Sequence, residues 1–174
     1  MGKLSIVVMG VTGCGKTSVG KHLAQALSFP YYDADDFHPT TNIKKMSRGV
    51  PLTDEDRAGW LRTLRALIET NEAEGEKIIL ACSALKNTYR KILTVETSPL
   101  FVFLEVSRET ANARLKKRSN HYMPSSLVES QFEILEKPLD AIYINAELSL
   151  DEVNSITLNK VRNRIGGDLK NSCN

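Results

Sequence analysis

The stretch GVTGCGKT at residues 10–17 follows directly on the apolar run LSIVVM at 4–9. It fills every position of the pattern G-x-x-x-x-G-K-[ST], with Gly10, Gly15, Lys16 and Thr17 in place and a further glycine, Gly13, inside the loop. No other feature restricts the fold as much. A glycine-rich turn between a strand and a helix lets backbone N–H groups converge on phosphate oxygens, and the helix N-terminus adds favourable dipole charge. Lys16 can then bridge the β- and γ-phosphates of a nucleotide, and the Thr17 hydroxyl can take one position on Mg²⁺. Cys14 and Ser18 belong to the same cradle. The bland alternative is a turn that merely contains glycines; the strand before it and the helix after it favour the phosphate loop.

Four apolar runs read as buried strands: 4–9, 78–82, 100–106 and 141–145, with a weaker fifth, FPYYD, at 29–33. Near-continuous runs rich in Ile, Val and Phe suit a parallel sheet covered on both faces. Helical patterns lie between them. Val19, Leu23 and Leu27 recur at four-residue spacing, and Trp60, Leu61, Leu64, Leu67 and Ile68 share a face, as do Leu158, Val161 and Ile165. Thr53 with Asp56, Ser126 with Glu129 and Ser149 with Glu152 form three S/T-x-x-D/E pairs that predict helix starts. The alternation predicts an α/β, three-layer domain with a twisted five-stranded parallel sheet.

The chain of 174 residues suits one domain, set here at 1–165, with GGDLKNSCN at 166–174 as a flexible tail. Lys and Arg total 23 against 21 Asp and Glu, which gives no charge excess arguing for nucleic acid or an anionic membrane. Cys14, Cys82 and Cys173 are widely spaced, which fits neither a disulfide framework nor a zinc site. No run approaches the length of a membrane span and neither lipidation signal is complete, so a cytoplasmic protein is expected.

A phosphate loop does not specify a reaction. GTPase switches usually carry N-K-x-D, whereas the NK at Asn159 and Lys160 continues as VR. Large motor ATPases need more chain. A small-molecule kinase remains. In YYDADDFHP, Asp33 and Asp35 lie two apart at the end of an extended segment, so both carboxylates can point one way. One could hold a metal-bound water and the other accept a hydroxyl proton, although a cluster of Asp in a loop is often only solvated. The strand ending at Cys82 lacks a terminal acid, so Asp33 is taken as the second metal partner, with Glu105 as the competing candidate. Arg114, Lys117 and Arg118 share one helical face and precede a polar loop, which reads as a lid over 114–127 that brings cations to a nucleotide.

Taken together, DADDFHPTTNIKKMSRGVPLTDEDRAGWL (33–61), CSALKNTYR (82–90), RLKKRSNHYM (114–123) and SQFEILEKP (130–138) resemble the gluconate kinases, small P-loop kinases related to shikimate and nucleoside monophosphate kinases. The resemblance covers about residues 4–163 and implies a nucleotide-kinase fold with a mobile lid. It also implies a homodimer and transfer from ATP, with Mg²⁺, to the 6-hydroxyl of D-gluconate. It further implies that Asp35 orients and deprotonates that hydroxyl, that Asp33 supports the metal, and that Lys16 and Arg118 stabilise the transferring group. His38, Arg57, Lys86, Arg90 and Gln131 become candidates for the sugar acid. His38 could equally be a structural histidine, and Arg57 could simply pair with Asp54 or Asp56. Ser83 either contacts substrate or turns the chain. Gly59 is a departure, standing where the family often has proline. A shikimate-type or nucleoside monophosphate kinase, or a nucleotide-binding regulator without transfer activity, are the rival readings.

Overall fold

Ile6, Val7, Val8 and Met9 are all shielded from solvent, because strand β1 (Ile6–Met9) lies in the middle of the sheet with helices against both faces. The computed structural model describes residues 4–117 and 125–171. The other strands are β2 (Tyr31–Asp33), β3 (Ile79–Ala81), β4 (Leu100–Glu105) and β5 (Ile142–Asn145). Their order is β2-β3-β1-β4-β5, and every pairing is parallel. Each strand falls inside the run predicted for it, trimmed by up to two residues at either end.

Parallel neighbours need crossover connections, which here are helical. On one face, Ile6 and Val8 pack with Val19 and Leu23 of α1 (Lys16–Leu27) and with Val153 and Val161 of α7 (Leu150–Asn171). On the other, Val7 and Met9 meet Trp60, Leu61, Leu64 and Ile68 of α3 (Asp54–Ala73), and Tyr89 and Leu93 of α4 (Asn87–Leu93). Burying each such aliphatic side chain is worth roughly 1.5–3 kcal/mol, so the two-sided pattern of β1 fixes the three-layer architecture.

The Thr53 and Asp56 pair closes a full capping box on α3: the Thr53 N–H donates to the Asp56 carboxylate at 2.9 Å, and the Asp56 N–H donates to the Thr53 hydroxyl at 3.2 Å. Ser149 and Glu152 do the same ahead of α7. The third pair is corrected. Helix α6 (Ser125–Ile134) begins one residue before Ser126, and the Glu129 carboxylate turns instead to the Arg108 guanidinium on α5 (Arg108–Lys116). An exposed guanidinium offers a carboxylate more than a backbone amide does. Helix α7 runs through Gly166 and Gly167 to Asn171. A helix interior glycine costs only about 1 kcal/mol, too little to stop a long helix already anchored through Val153 and Val161.

Three elements had no strong pattern: the 3-10 turn Ala34–Phe37, α2 (Thr40–Ser47) and α4. Each has eight residues or fewer, too short for a helical period to register. Two of them, the turn and α2, frame the site. Gly59 lies inside α3, five residues past its start, so its presence in place of proline leaves the capping box intact.

Candidate active site

The phosphate loop spans the end of β1 and the start of α1, at the carboxyl edge of the central strand, where α/β sheets bind ligands. Its glycines are required by shape. At Gly10, with φ 143°, a Cβ would stand 2.8 Å from both Cys14 Sγ and the Leu104 carbonyl; at Gly13, with φ 80°, it would stand 2.7 Å from the Ala111 carbonyl of α5. The Lys16 ammonium donates to the carbonyls of Gly10 at 3.0 Å and Val11 at 2.9 Å, which folds its side chain over the loop. Gln131 on α6 ties the same loop down, its Oε1 accepting from the Thr12 N–H at 2.7 Å.

Asp33 links this loop to the acidic segment. Its Oδ2 accepts from the Thr17 hydroxyl at 3.3 Å and from the Tyr31 hydroxyl at 3.1 Å, while its Oδ1 accepts from the Asp35 backbone N–H at 3.2 Å. The chain stops being extended at Asp33, which caps the 3-10 turn, so Asp35 is presented by a turn and not by a continuing strand as expected. A hydroxyl and a carboxylate in contact beside a phosphate loop are a fitting oxygen donor set for Mg²⁺. Glu105, the rival, pairs its carboxylate with Lys137.

Beside Lys16 and Asp33 a cavity of about 90 Å³ is lined by Asp35, His38, Arg57, Trp60, Ser83 and Gln131, among others. The His38 side chain is 4% exposed, stacked on Trp60 with ring centroids 4.2 Å apart; its Nε2 lies 3.9 Å from Oδ1 of Asp35, whose side chain is 85% exposed at the mouth. Burial lowers the His38 pKa and the Arg57 charge lowers it further, against the raising effect of Asp35, so the ring favours its neutral form. The Trp60 indole N–H donates to the Ala34 carbonyl at 2.7 Å and so holds the turn that carries Asp35. At about 90 Å³ the cavity is smaller than most ligand pockets, which generally begin near 300 Å³.

Arg57 pairs with neither Asp54 nor Asp56. Its Nη1 donates to the carbonyl of Leu52, to that of Thr53 at 3.4 Å and to the Tyr89 hydroxyl at 3.3 Å, all uncharged. Asp56 is taken by Lys45 at 2.8 Å and Asp54 by Lys86 at 2.8 Å, with the Tyr89 hydroxyl donating to Asp54 as well. The guanidinium thus lines the cavity with no carboxylate against it among the described residues. Lys86 and Arg90 stand outside this cavity. The Lys86 hydrogen bond, with that of Tyr89, holds Asp54 below the usual carboxylate range. Arg90, 6% exposed, donates to the carbonyls of Ala84 at 2.8 Å and Leu85 at 3.0 Å and borders a different groove of about 910 Å³, with Leu4 and Arg164.

On the other side of the loop, Gly13, Cys14, Ser18, Arg114, Lys117, Ala146 and Leu150 line a cavity of about 410 Å³, of a size to take a purine and its ribose. Arg114 donates to the carbonyls of Cys14 at 3.5 Å and Ala146 at 2.6 Å. Arg118 and residues 119–124 of the expected lid lie outside the described residues. Cys14 and Cys82 are free and buried, and burial pushes the Cys82 thiol up to about 12.

A phosphate cradle flanked by one cavity sized for a nucleoside and by another holding a carboxylate, an imidazole and an unmatched guanidinium defines a P-loop phosphotransferase of the small-molecule kinase class. A family model described as shikimate kinase matches residues 12–165. The chain is 44% identical over 149 residues to a probable gluconokinase of Xenopus tropicalis, covering 76% of this chain and 78% of that one. It is 44% identical over 135 residues to the thermosensitive gluconokinase of Escherichia coli K12, covering 77% and 72%. Among solved structures, a gluconokinase from Sinorhizobium meliloti 1021 superposes with a TM-score of 0.87 at 37% identity, covering 99% and 98%. The chain belongs to the gluconokinase family, within the shikimate kinase group. Trp60 and Met46 line the cavity and the buried Asn42 comes within 3.4 Å of His38 Nδ1, yet none of the three was singled out for the site from sequence; an Asn inside a short polar helix carries no signal of its own.

Proposed function

We propose that this chain transfers the γ-phosphoryl group of ATP to the 6-hydroxyl of D-gluconate, giving 6-phospho-D-gluconate and ADP. The observation that carries this reading is the unmatched Arg57 guanidinium in one cavity with Asp35, His38 and Gln131, directly beside Lys16. A sugar acid needs a cation for its carboxylate and hydrogen-bonding groups for its hydroxyls, and this set supplies both. Names of relatives at about 40% identity point to the same acceptor.

In this reading Asp35 takes the hydroxyl proton as the acceptor oxygen bonds to the γ-phosphorus. The bond to the bridging oxygen breaks, and ADP leaves with that electron pair. Lys16 and Arg118 offset the charge on the transferring group, and Arg114 and Lys117 face the base and ribose. Thr17 and Asp33 would hold Mg²⁺, which neutralises charge on the phosphates. Lys86 and Arg90 act as framework, since backbone carbonyls and Asp54 already satisfy them. We further assign the chain to one domain with a lid over 114–127, a homodimer and a cytoplasmic setting. Among the described residues no helix is long and apolar enough to cross a membrane.

A coupled ADP-release assay across gluconate, shikimate and nucleoside monophosphates tests the assignment. Gluconate alone is expected to support turnover, and Asp35→Asn to lower kcat about 10²–10⁴-fold with ATP still bound. Turnover with shikimate and none with gluconate would overturn it.

A further inference from the structure

The buried amide of Asn42 on α2 has no part in the chemistry above, yet it lies against the His38 ring, which lines the cavity with Asp35. Its Nδ2 lies 2.8 Å from the backbone carbonyl of Asp56 and 3.4 Å from Nδ1 of His38. A carbonyl oxygen can only accept, so the amide atom facing Asp56 is the nitrogen and not the oxygen. The second hydrogen of that NH₂ group is then left for His38. An acceptor at Nδ1 puts the proton of a neutral imidazole on Nε2. Nε2 is the nitrogen that faces Asp35.

The ring is held in this orientation. It lies within 14° of parallel to Trp60, and the indole is itself pinned to Ala34. Asn42 is fixed in turn, its own N–H donating to the Pro39 carbonyl at 2.9 Å, and the Asp56 side chain is anchored by Lys45. Burial and the nearby Arg57 charge oppose a second proton on the ring.

We infer that Asn42 is a positioning residue for phosphoryl transfer: by donating to Nδ1 of His38 it places the ring proton on Nε2, facing Asp35 and the acceptor hydroxyl. The inference rests on the proposed gluconate kinase activity. With the proton there, His38 turns an N–H toward the Asp35 carboxylate across 3.9 Å, an attraction that favours one orientation of the carboxylate. The opposite tautomer presents a lone pair to the carboxylate, which repels it and competes for the hydroxyl proton. His38 neither gains nor loses a proton through the reaction.

Long-range ¹H–¹⁵N correlation spectra of the full chain read the tautomer directly, with the His38 ring assigned by its loss in His38→Gln. The wild-type ring is expected as the Nε2–H form. Asn42→Asp supplies an acceptor at Nδ1 and is expected to reverse the tautomer. It should lower kcat by about 10-fold or more, the scale of one hydrogen bond, with KM for ATP unchanged. Asn42→Gln, which keeps the donor, is expected to recover part of kcat. A wild-type ring protonated on Nδ1 overturns the inference, and so does a reversed tautomer with kcat intact. A folded wild-type chain that leaves gluconate untouched sinks the proposed function instead, while the ring spectrum still decides the tautomer.

Discussion

Thr17 and Asp33 meet across 3.3 Å although sixteen positions of sequence separate them. The contact joins the first turn of α1 to the end of β2, and the same carboxylate holds the Tyr31 hydroxyl and the Asp35 amide. Phosphate loop, proposed metal ligands and the turn bearing the proposed base are therefore one hydrogen-bonded unit.

If that unit holds the cation, Asp33→Asn raises the Mg²⁺ concentration needed for half-maximal rate by about 10–100-fold. Glu105→Gln leaves it unchanged, because Glu105 is engaged by Lys137. Initial rates over a Mg²⁺ series check both. An equal effect of the two substitutions would point away from Asp33.

Arg57→Met removes a cation of the acceptor cavity that forms no ion pair with a carboxylate among the described residues. It is expected to raise KM for gluconate by about 10–100-fold, the value of a charge-assisted hydrogen bond, with KM for ATP unaltered. Lys86→Met should change KM for gluconate much less, since Asp54 already balances that ammonium. Steady-state kinetics with each substrate varied in turn separates the cases.

Stability should fall on acidification below neutrality. The folded pKa of His38 lies under its unfolded value near 6.5, so above that pH both states are neutral and nothing is lost. As pH falls through the unfolded value, the unfolded chain takes up a proton that the folded chain refuses. The loss is at most about 1.4 kcal/mol per pH unit for one such group. Urea midpoints at about pH 7.5 and about pH 5.5 measure it, and His38→Gln is expected to flatten the difference. Asp54 contributes separately and lower: its depressed pKa adds stability above the ordinary carboxylate range, lost as pH falls through the folded value.

Gly59→Ala should stabilise the chain. The position is interior to α3, and a Cβ there would meet only the Arg62 guanidinium at 4.0 Å. Alanine in a helix interior is favoured over glycine by about 0.5–1 kcal/mol. Thermal melting checks this: an unchanged or lowered midpoint counts against an unstrained helix at this point.

The parts of the fold that were legible in the sequence are those in which a local pattern suffices. The apolar run before Gly10 and the glycines after it specify a strand, a turn and a helix with no distant partner, and Thr53 with Asp56 signals a helix start from four residues. Pairings made across the fold left no such trace. Lys86 and Arg90 sit in a segment that looks made for an anion, yet one is neutralised by Asp54 from another helix and the other is drawn inward by the Ala84 and Leu85 carbonyls. Glu129 obeys a capping pattern and pairs instead with Arg108, which is 21 positions away. Asn42 owes its place to a carbonyl on α3, and only the packing of α2 against that helix brings the two together.

The place of β1 in the sheet bears on how such a chain is made. Ile6 pairs with Ile79 on one side and with Leu100 on the other, so both flanks of the earliest strand wait on segments from much further along. A nascent chain that has not yet reached residue 100 carries a bare, wholly apolar sheet edge, which invites pairing with other chains. The nucleotide cradle, whose glycines lie against the Leu104 and Ala111 carbonyls, is therefore complete only once the chain has been made past residue 111.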